Sequence, residues 1–447
     1  MKLKTEVFNW RRYLYFDTHV LQVLLQRSWQ IIAGGATLLI VPWKLTSVEQ
    51  GYYYTFASLL ALQSFFELGL NYVVMQIAGH EGAKLTIDET GRIEGNPDAA
   101  SRLMSLLSLH RRWYRIAAPA FAMVLMVAGF FFFQYNNNLP LQKWLGAWLL
   151  LVFFTALNLY CSPRLAILEG IGRIGQVARL RMYQSAVGML LMWIGLLIGL
   201  GLWAIPFVSG VAALTTLAWL KYCGSLSMPP GAMATSQACI DWRRDILPMQ
   251  WRIALSWLSG WVIFNSFTPI LFMHQGAAEA GRVGMALSIF MSITLLGMSW
   301  VNAAAPQFLK YIALGERAYL NQLFKRVFMS SASFVLLVSL AFLCCVAVLE
   351  AGGFAFIDRI ASLQVLACLA LVTTVNSFVS AAAVFMRAHK EEPMLWQSIS
   401  MGILTGLVAW YGSQISALVM ATAYALATLF IGLPWTIILF SNYYKKS

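Results

Sequence analysis

Two arginines lie inside apolar runs, where a charged side chain is costly and usually faces a partner or a water-filled cavity. Arg27 is about seven residues into the first run, and Arg252 is at the same depth in a run of the second half. Both are roughly 9–10 Å inside the nearer helix end at about 1.5 Å per residue. The guanidinium fork suits phosphate, but an arginine at this depth can also reach the membrane surface. Both interpretations stay open.

Glu67 lies in an apolar run, about ten residues from its nearer end, and its short side chain cannot reach water easily. Arg27 and Glu67 are each 20 residues from position 47, in the turn between two predicted helices. An antiparallel hairpin would therefore place the two charges at one depth, as an ion pair. Glu67 could instead take up a proton in a coupled cycle or contact a substrate.

Neutral amides also occur within the apolar runs, and in membranes such side chains commonly hydrogen-bond between helices. A polar ligand in a cavity would need the same donors and acceptors. Asn265 and Asn376 belong to this group. The amides that we select as candidate cavity residues, together with Arg27, Arg252 and Glu67, are Gln26, Gln63, Asn71, Gln250 and Asn302.

The helices that carry these residues belong to a membrane protein. The chain has 447 residues, of which 60% are hydrophobic and 11% charged, and its mean hydropathy is +0.70. Repeated apolar runs of about 20 residues are typical of transmembrane helices. The sequence thus predicts an all-α polytopic membrane protein with about 12 transmembrane helices. The predicted spans are 21–43, 51–77, 114–134, 144–168, 176–200, 202–221, 246–273, 282–306, 327–349, 360–386, 394–411 and 415–440.

A cytoplasmic linker (223–245) divides the chain into an N-terminal six-helix lobe (1–222), which includes a second polar cytoplasmic segment (79–112), and a C-terminal six-helix lobe (246–447). The linker is rich in Pro, Gly and Ser, a composition typical of loops. The other segment, 79–112, predicts a small hairpin near 85–95 and then a helix that starts at Asn96-Pro97. The apolar face of this helix is compatible with lying along the membrane surface or with packing on the ends of the spans.

The charges predict the orientation of the spans. All but four of the 31 lysines and arginines fall on the side of the two termini, the exceptions being Lys44, Lys143, Arg282 and Arg359. The positive-inside rule then places both termini in the cytoplasm. The net charge of +13 is explained by this asymmetry, and we expect no nucleic-acid partner. The six cysteines show no metal-type spacing, so we expect no metal site.

The two halves repeat. A shift of 230 residues places Glu49-Gln50-Gly51 on Glu279-Ala280-Gly281 without a gap. Because each half has an even number of spans, the repeats have the same orientation. This predicts an approximate twofold axis along the membrane normal, with any central site between the halves.

Several stretches resemble the polysaccharide-export (O-antigen-type) flippases of the multidrug/oligosaccharidyl-lipid/polysaccharide (MOP) exporter superfamily. The segments 48–56 (Val-Glu-Gln-Gly-Tyr-Tyr-Tyr-Thr-Phe) and 65–70 (Phe-Phe-Glu-Leu-Gly-Leu) are similar to the first hairpin of these proteins. The segments 247–252 and 279–284 resemble the matching start of the second half, and 165–173 resembles the basic turn after the fourth span.

The resemblance implies a MATE-like pair of six-helix lobes that alternates access to a central cavity. It implies transport of an undecaprenyl-pyrophosphate-linked oligosaccharide from the cytoplasmic to the periplasmic leaflet of the bacterial inner membrane. The arginines would then meet the pyrophosphate. The implied partners are membrane lipids and the polysaccharide polymerase machinery. We expect no cofactor but possible coupling to an H⁺ or Na⁺ gradient. The alternative within the superfamily is a cation-coupled multidrug efflux transporter.

An enzyme is the competing class, and the sequence disfavours it. The outward face has only four acids, Glu49, Glu279, Glu350 and Asp358, all in short turns. There is no P-loop, no glycine pattern of a dinucleotide fold and no metal-binding spacing. We therefore expect a protein that is not an enzyme.

Overall fold

The computed structural model describes residues 18–87, 93–136, 138–222, 239–389 and 393–446, and these are almost entirely helical. A single two-stranded sheet, β1 (Leu85–Ile87) with β2 (Ile93–Gly95), interrupts the helices in this part of the chain. The helices are α1 (Thr18–Lys44), α2 (Ser47–Leu60), α3 (Gln63–Glu67), α4 (Leu70–Gly82), α5 (Pro97–Asn136), α6 (Leu141–Gly170), α7 (Ile174–Leu197), α8 (Pro206–Tyr222), α9 (Leu247–Asn265), α10 (Phe267–Gln275), α11 (Ala277–Leu314), α12 (Arg317–Ala351), α13 (Leu363–Arg387), α14 (Leu395–Ile415), α15 (Ala417–Ala427) and α16 (Leu433–Lys446).

These helices form the twelve predicted spans. Among the described residues, eight helices are long and apolar enough to cross a membrane, and the number rises to as many as ten if each of two bent pairs is one span. Helices α1 and α14, with 27 and 21 residues, have the length of the remaining two. Span 2 consists of α2–α4, span 7 of α9 and α10, and span 12 of α15 and α16, which are joined by a π-helical turn, Thr428–Gly432. The predicted all-α polytopic fold is confirmed.

Span 2 bends by 49° where α3 meets α4. Leu68 and Gly69 both adopt the left-handed region there, with φ of 48° and 66°. A Cβ at position 69 would lie 2.3 Å from Cγ2 of Ile253 in span 7, so glycine is required both by the backbone and by the close contact. The break therefore lies directly against the other lobe.

Span 7 bends by 42° between α9 and α10. Pro269 explains the position, because it has no N–H to donate to the carbonyl of Asn265 and its ring clashes with that carbonyl. Ser266 stabilises the bend by donating its hydroxyl to the carbonyl of Val262 at 2.5 Å.

The two lobes meet where the start of span 2 crosses the start of span 8. A Cβ on Gly51 would lie 1.9 Å from the carbonyl oxygen of Ala277, and one on Gly281 would lie 2.7 Å from the backbone nitrogen of Gly51. Gln50 donates to the carbonyls of Gly281 (3.2 Å) and Arg359 (2.9 Å). The residues that the sequence repeat aligns thus contact each other across the lobe interface.

A second pair of contacts follows the same twofold pattern. Gln184 of span 5 donates to Thr216 (2.7 Å) and to the carbonyl of Ala212 (3.1 Å) in span 6. Gln397 of span 11 donates to Thr436 (2.8 Å) and to the carbonyl of Gly432 (3.1 Å) in span 12. In both lobes one glutamine binds a threonine and the carbonyl four residues before it.

Helix α5 differs from the prediction of a separate helix on the membrane surface. It has 40 residues without a break, or roughly 60 Å, about twice the hydrocarbon thickness. Its first turn is capped by Asn96, which accepts from the N–H groups of Asp98 and Ala99. Leu103, Leu106 and Leu107 are buried. The early part of α5 therefore packs on other elements, which agrees with the interpretation that this helix packs on the ends of the spans.

The end of the predicted linker packs on this early part of α5, while residues 223–238 lie outside the described residues. The N–H of Ile240 donates to Oγ of Ser105 at 3.0 Å. The ring of Trp242, in a π-helical turn (Trp242–Ile246), lies 5.7 Å from that of Trp113. The chain that enters the C-terminal lobe is therefore held by the N-terminal lobe.

Candidate functional site

The structure places the two predicted arginines on α1 and α9, but their side chains lie outside the described part of the chain. Their roles stay predictions. Helix α1 packs mainly along α7, with Trp29 donating to Ser185 at 3.2 Å and Trp193 donating to Thr37 at 3.0 Å. It does not pack along span 2 as a close hairpin would.

Glu67 is the last residue of α3 and lies directly before the left-handed turn of span 2. Its half-buried carboxylate accepts a hydrogen bond from Nε2 of Gln63, and the side chain of Asn71 lies beside it. Among the described residues no lysine or arginine pairs with it. The ion pair with Arg27 remains untested, because the side chain of Arg27 lies outside the described residues.

The Glu67 site extends through Asn71 to two further helices. Nδ2 of Asn71 donates to Ser162 of α6 at 3.0 Å, and its Oδ1 accepts from the hydroxyl of Tyr114 of α5 at 3.2 Å. Three predicted site residues, Gln63, Glu67 and Asn71, are thus brought together. An acid held by amides and hydroxyls at membrane depth is suited to taking up a proton or a cation.

The other predicted amides are dispersed. Gln26 is half-buried on α1. Gln250 is 3% exposed on α9, and its Oε1 has no partner among the described residues. Asn302 lines a cavity in the C-terminal lobe.

The C-terminal lobe contains two adjoining cavities of about 600 and 320 Å³, in the size range of small-molecule sites. We refer to them together as the C-lobe cavity. Spans 7, 8, 10 and 12 line both parts, span 11 lines the larger one, and Ala61 and Ser64 at the junction of α2 and α3 close one side. Of the described lining residues none is acidic, and one, Arg387, is charged.

One wall of the C-lobe cavity is aromatic. Trp257, Trp261 and Phe264 follow each other at i, i+4 and i+7 on α9, which places them on one helix face. Trp257 is 41% exposed. Phe65 of span 2 packs edge-on against Trp261, with ring centroids 5.3 Å apart. The aromatic wall therefore lies beside the break of span 2.

The facing wall is polar. Asn376, Ser380 and Arg387 follow each other along one face of α13, and Nδ2 of Asn376 donates to the hydroxyl of Tyr424 at 3.3 Å. We did not select Trp257, Trp261 or Arg387 from the sequence. The i, i+4, i+7 spacing was visible there, but tryptophans at membrane interfaces explain such patterns equally well.

No protein-family model matches the chain, and no curated protein sequence matches it significantly. Solved structures do match. A multidrug resistance MATE family transporter of the MOP superfamily in its inward-facing conformation aligns with a TM-score of 0.62 at 14% identity, covering 96% of this chain and 99% of that one.

Two further neighbours align less closely, each over 96% of both chains at 15% identity. They are an outward-facing MATE transporter (TM-score 0.52) and a MOP superfamily transporter from Pyrococcus furiosus (0.54), whose binding pocket is described as having reverse polarity that suggests a different function. The chain is thus a polytopic helical membrane protein with a twelve-span, two-lobed fold. That fold is the one found in MATE transporters of the MOP superfamily.

Proposed function

We propose that this protein is a flippase that moves an undecaprenyl-pyrophosphate-linked oligosaccharide from the inner to the outer leaflet for surface polysaccharide biosynthesis, such as that of O-antigen. The observation that carries the proposal is the charge of the C-lobe cavity. Its described lining has Arg387 and no acid, whereas a pump for cationic drugs would place acids there. Arg27 and Arg252, at equivalent depths in the two lobes, would bind the pyrophosphate.

The fold supports alternating access. The lobes touch at the end that carries the turn between α1 and α2. If both termini are cytoplasmic, as the positive-inside rule predicts, the contact closes the periplasmic end and the cavity opens to the cytoplasm. The higher TM-score to the inward-facing neighbour, 0.62 against 0.52 for the outward-facing one, supports the same state.

We further propose that the protein resides in the bacterial inner membrane and is not an enzyme. Transport would draw on an H⁺ or Na⁺ gradient or on consumption of the product, with no bound cofactor, and Glu67 is the candidate coupling residue. The polymerase machinery would receive the exported glycolipid, and membrane lipids would be the remaining partners.

The second candidate is a cation-coupled multidrug efflux transporter. Two neighbours are described as multidrug resistance MATE transporters, and Glu67 is an acid within the membrane that could serve such coupling. The Pyrococcus furiosus neighbour, with its reverse-polarity pocket, supports the view that this fold is not restricted to one kind of substrate.

The deciding experiment examines the lipids of a source strain that lacks the gene. We expect mass spectrometry to detect a defined undecaprenyl-pyrophosphate oligosaccharide that accumulates while surface polysaccharide is lost. Unchanged glycolipids together with new sensitivity to cationic dyes would favour drug efflux instead.

Complementation then tests the arginines. The gene with both Arg27→Ala and Arg252→Ala should fail to restore export. Arg282→Ala is the matched control, because this arginine is partly exposed at the opposite end and pairs with Glu279 at 3.2 Å. Normal export by a well-expressed double variant would contradict the proposed role.

A further inference from the structure

The C-lobe cavity has the composition of a carbohydrate site. Its aromatic wall contains Trp257 and Trp261, and its polar wall contains amide, hydroxyl and guanidinium groups. Small-molecule pockets commonly combine an apolar lining with a few convergent polar groups that fix orientation. The indole faces can cover the C–H faces of a sugar ring, while the amides and guanidinium bind its hydroxyls.

We propose that the C-lobe cavity binds the glycan part of the substrate, with sugar rings stacked on Trp257 and Trp261 and hydroxyls bound by Asn376 and Arg387. This inference rests on the proposed function and deepens it. It assigns the glycan of the glycolipid to the C-terminal lobe, whereas Arg27 and Arg252 are predicted to bind the pyrophosphate.

The polar groups favour a glycan over the prenyl chain of the same molecule. Beneath a hydrocarbon chain, the hydroxyl of Ser380 and the amide oxygen of Asn376 would be cut off from water, and burying a polar group without a partner is destabilising. The prenyl chain has an equivalent apolar environment in the bilayer itself. Oligosaccharide hydroxyls, in contrast, can donate to and accept from every polar group of this wall.

A cationic drug is disfavoured as the ligand of this cavity, because no acid of the described lining would attract it.

A binding experiment with two probes tests this assignment. The purified full-length protein in lipid nanodiscs is titrated with undecaprenyl pyrophosphate and with the lipid-linked oligosaccharide that accumulates in the strain lacking the gene. We expect wild type to bind the glycan-bearing probe at least tenfold more tightly, a difference of about 1.4 kcal/mol. The Trp257→Ala/Trp261→Ala variant should lose this preference and keep its affinity for undecaprenyl pyrophosphate.

Two controls separate stacking from folding. Trp257→Phe with Trp261→Phe keeps the aromatic faces and should keep most of the preference. Trp396→Ala changes a tryptophan that is 71% exposed and outside the described cavity lining, and it should bind as wild type does.

The outcomes distinguish this inference from the proposed function. The glycan assignment would be overturned if wild type bound both probes equally. It would also be overturned if the alanine variant lost affinity for both probes to the same extent while the phenylalanine variant kept its affinity. Either result would leave the flippase proposal standing. If wild type binds neither probe, or if the deletion strain accumulates no glycolipid, the flippase proposal fails and the glycan site fails with it.

Discussion

The glycine contact between the lobes allows a quantitative prediction. In Gly51→Ala the new methyl group would lie 1.9 Å from the carbonyl oxygen of Ala277, and ordinary contact begins at 3.4 Å. Both partners are helix backbone, which cannot rotate away. The two helices would therefore have to separate by about 1.5 Å, and overpacking of this kind typically costs about 1–3 kcal/mol.

This cost applies only to the conformation in which the lobes touch. We expect Gly51→Ala to shift the conformational equilibrium towards the separated state by roughly 5- to 150-fold, the factor that corresponds to 1–3 kcal/mol. Gly281→Ala should act in the same direction, because its methyl group would lie 2.7 Å from the backbone nitrogen of Gly51. Alanine is a better helix former than glycine, but the helix is present in both conformations, so this preference does not change the expected shift.

The assay is a distance measurement between spin labels at Lys44 and Glu350, two exposed positions on different lobes at the contacting end. Gly35→Ala is the matched control, because a Cβ there has nothing within 4 Å. The population with longer distances should rise in Gly51→Ala and stay at the wild-type level in the control. Identical distance distributions in both variants would refute the close-contact reasoning.

Two further predictions concern charged groups. In Glu67→Gln an amide can replace the carboxylate among its amide neighbours, so we expect a nearly unchanged melting temperature but loss of the dependence of transport on the ion gradient. A large drop in melting temperature would favour the structural ion pair, since breaking a buried pair costs about 3–5 kcal/mol. Arg102→Ala removes a 2.9 Å contact from Glu81, whose side chain is 7% exposed, and should destabilise by about 1.5–3 kcal/mol, seen as a lower melting temperature. The control Arg282→Ala removes a pair with Glu279 that is more exposed and should destabilise less, and equal effects of the two would contradict the argument from burial.

Hydropathy was sufficient to predict the spans, because the bilayer imposes a length and an apolar composition on every crossing helix. The hairpin near 85–95 and the Asn96 cap were also local signals, and the structure contains both. The repeat that aligned Gly51 with Gly281 correctly predicted a twofold arrangement. The sequence could not show that these two glycines contact each other, because that depends on how the lobes dock.

What only the tertiary structure decided was which polar residues share a site. The sequence predicted a pairing between Arg27 and Glu67 from equal spacing along a hairpin. The structure shows that span 1 packs mainly along span 5 and that the amide of Gln63 donates to Glu67, while the ion pair itself stays a prediction. The C-lobe cavity lies between helices that are far apart in the chain, such as α9 and α13, so no local pattern marks it. The depth of a residue in the membrane follows from its position along its span. The partner of a charged side chain depends on how the helices rotate and pack against each other, and the hydropathy of the sequence does not specify this.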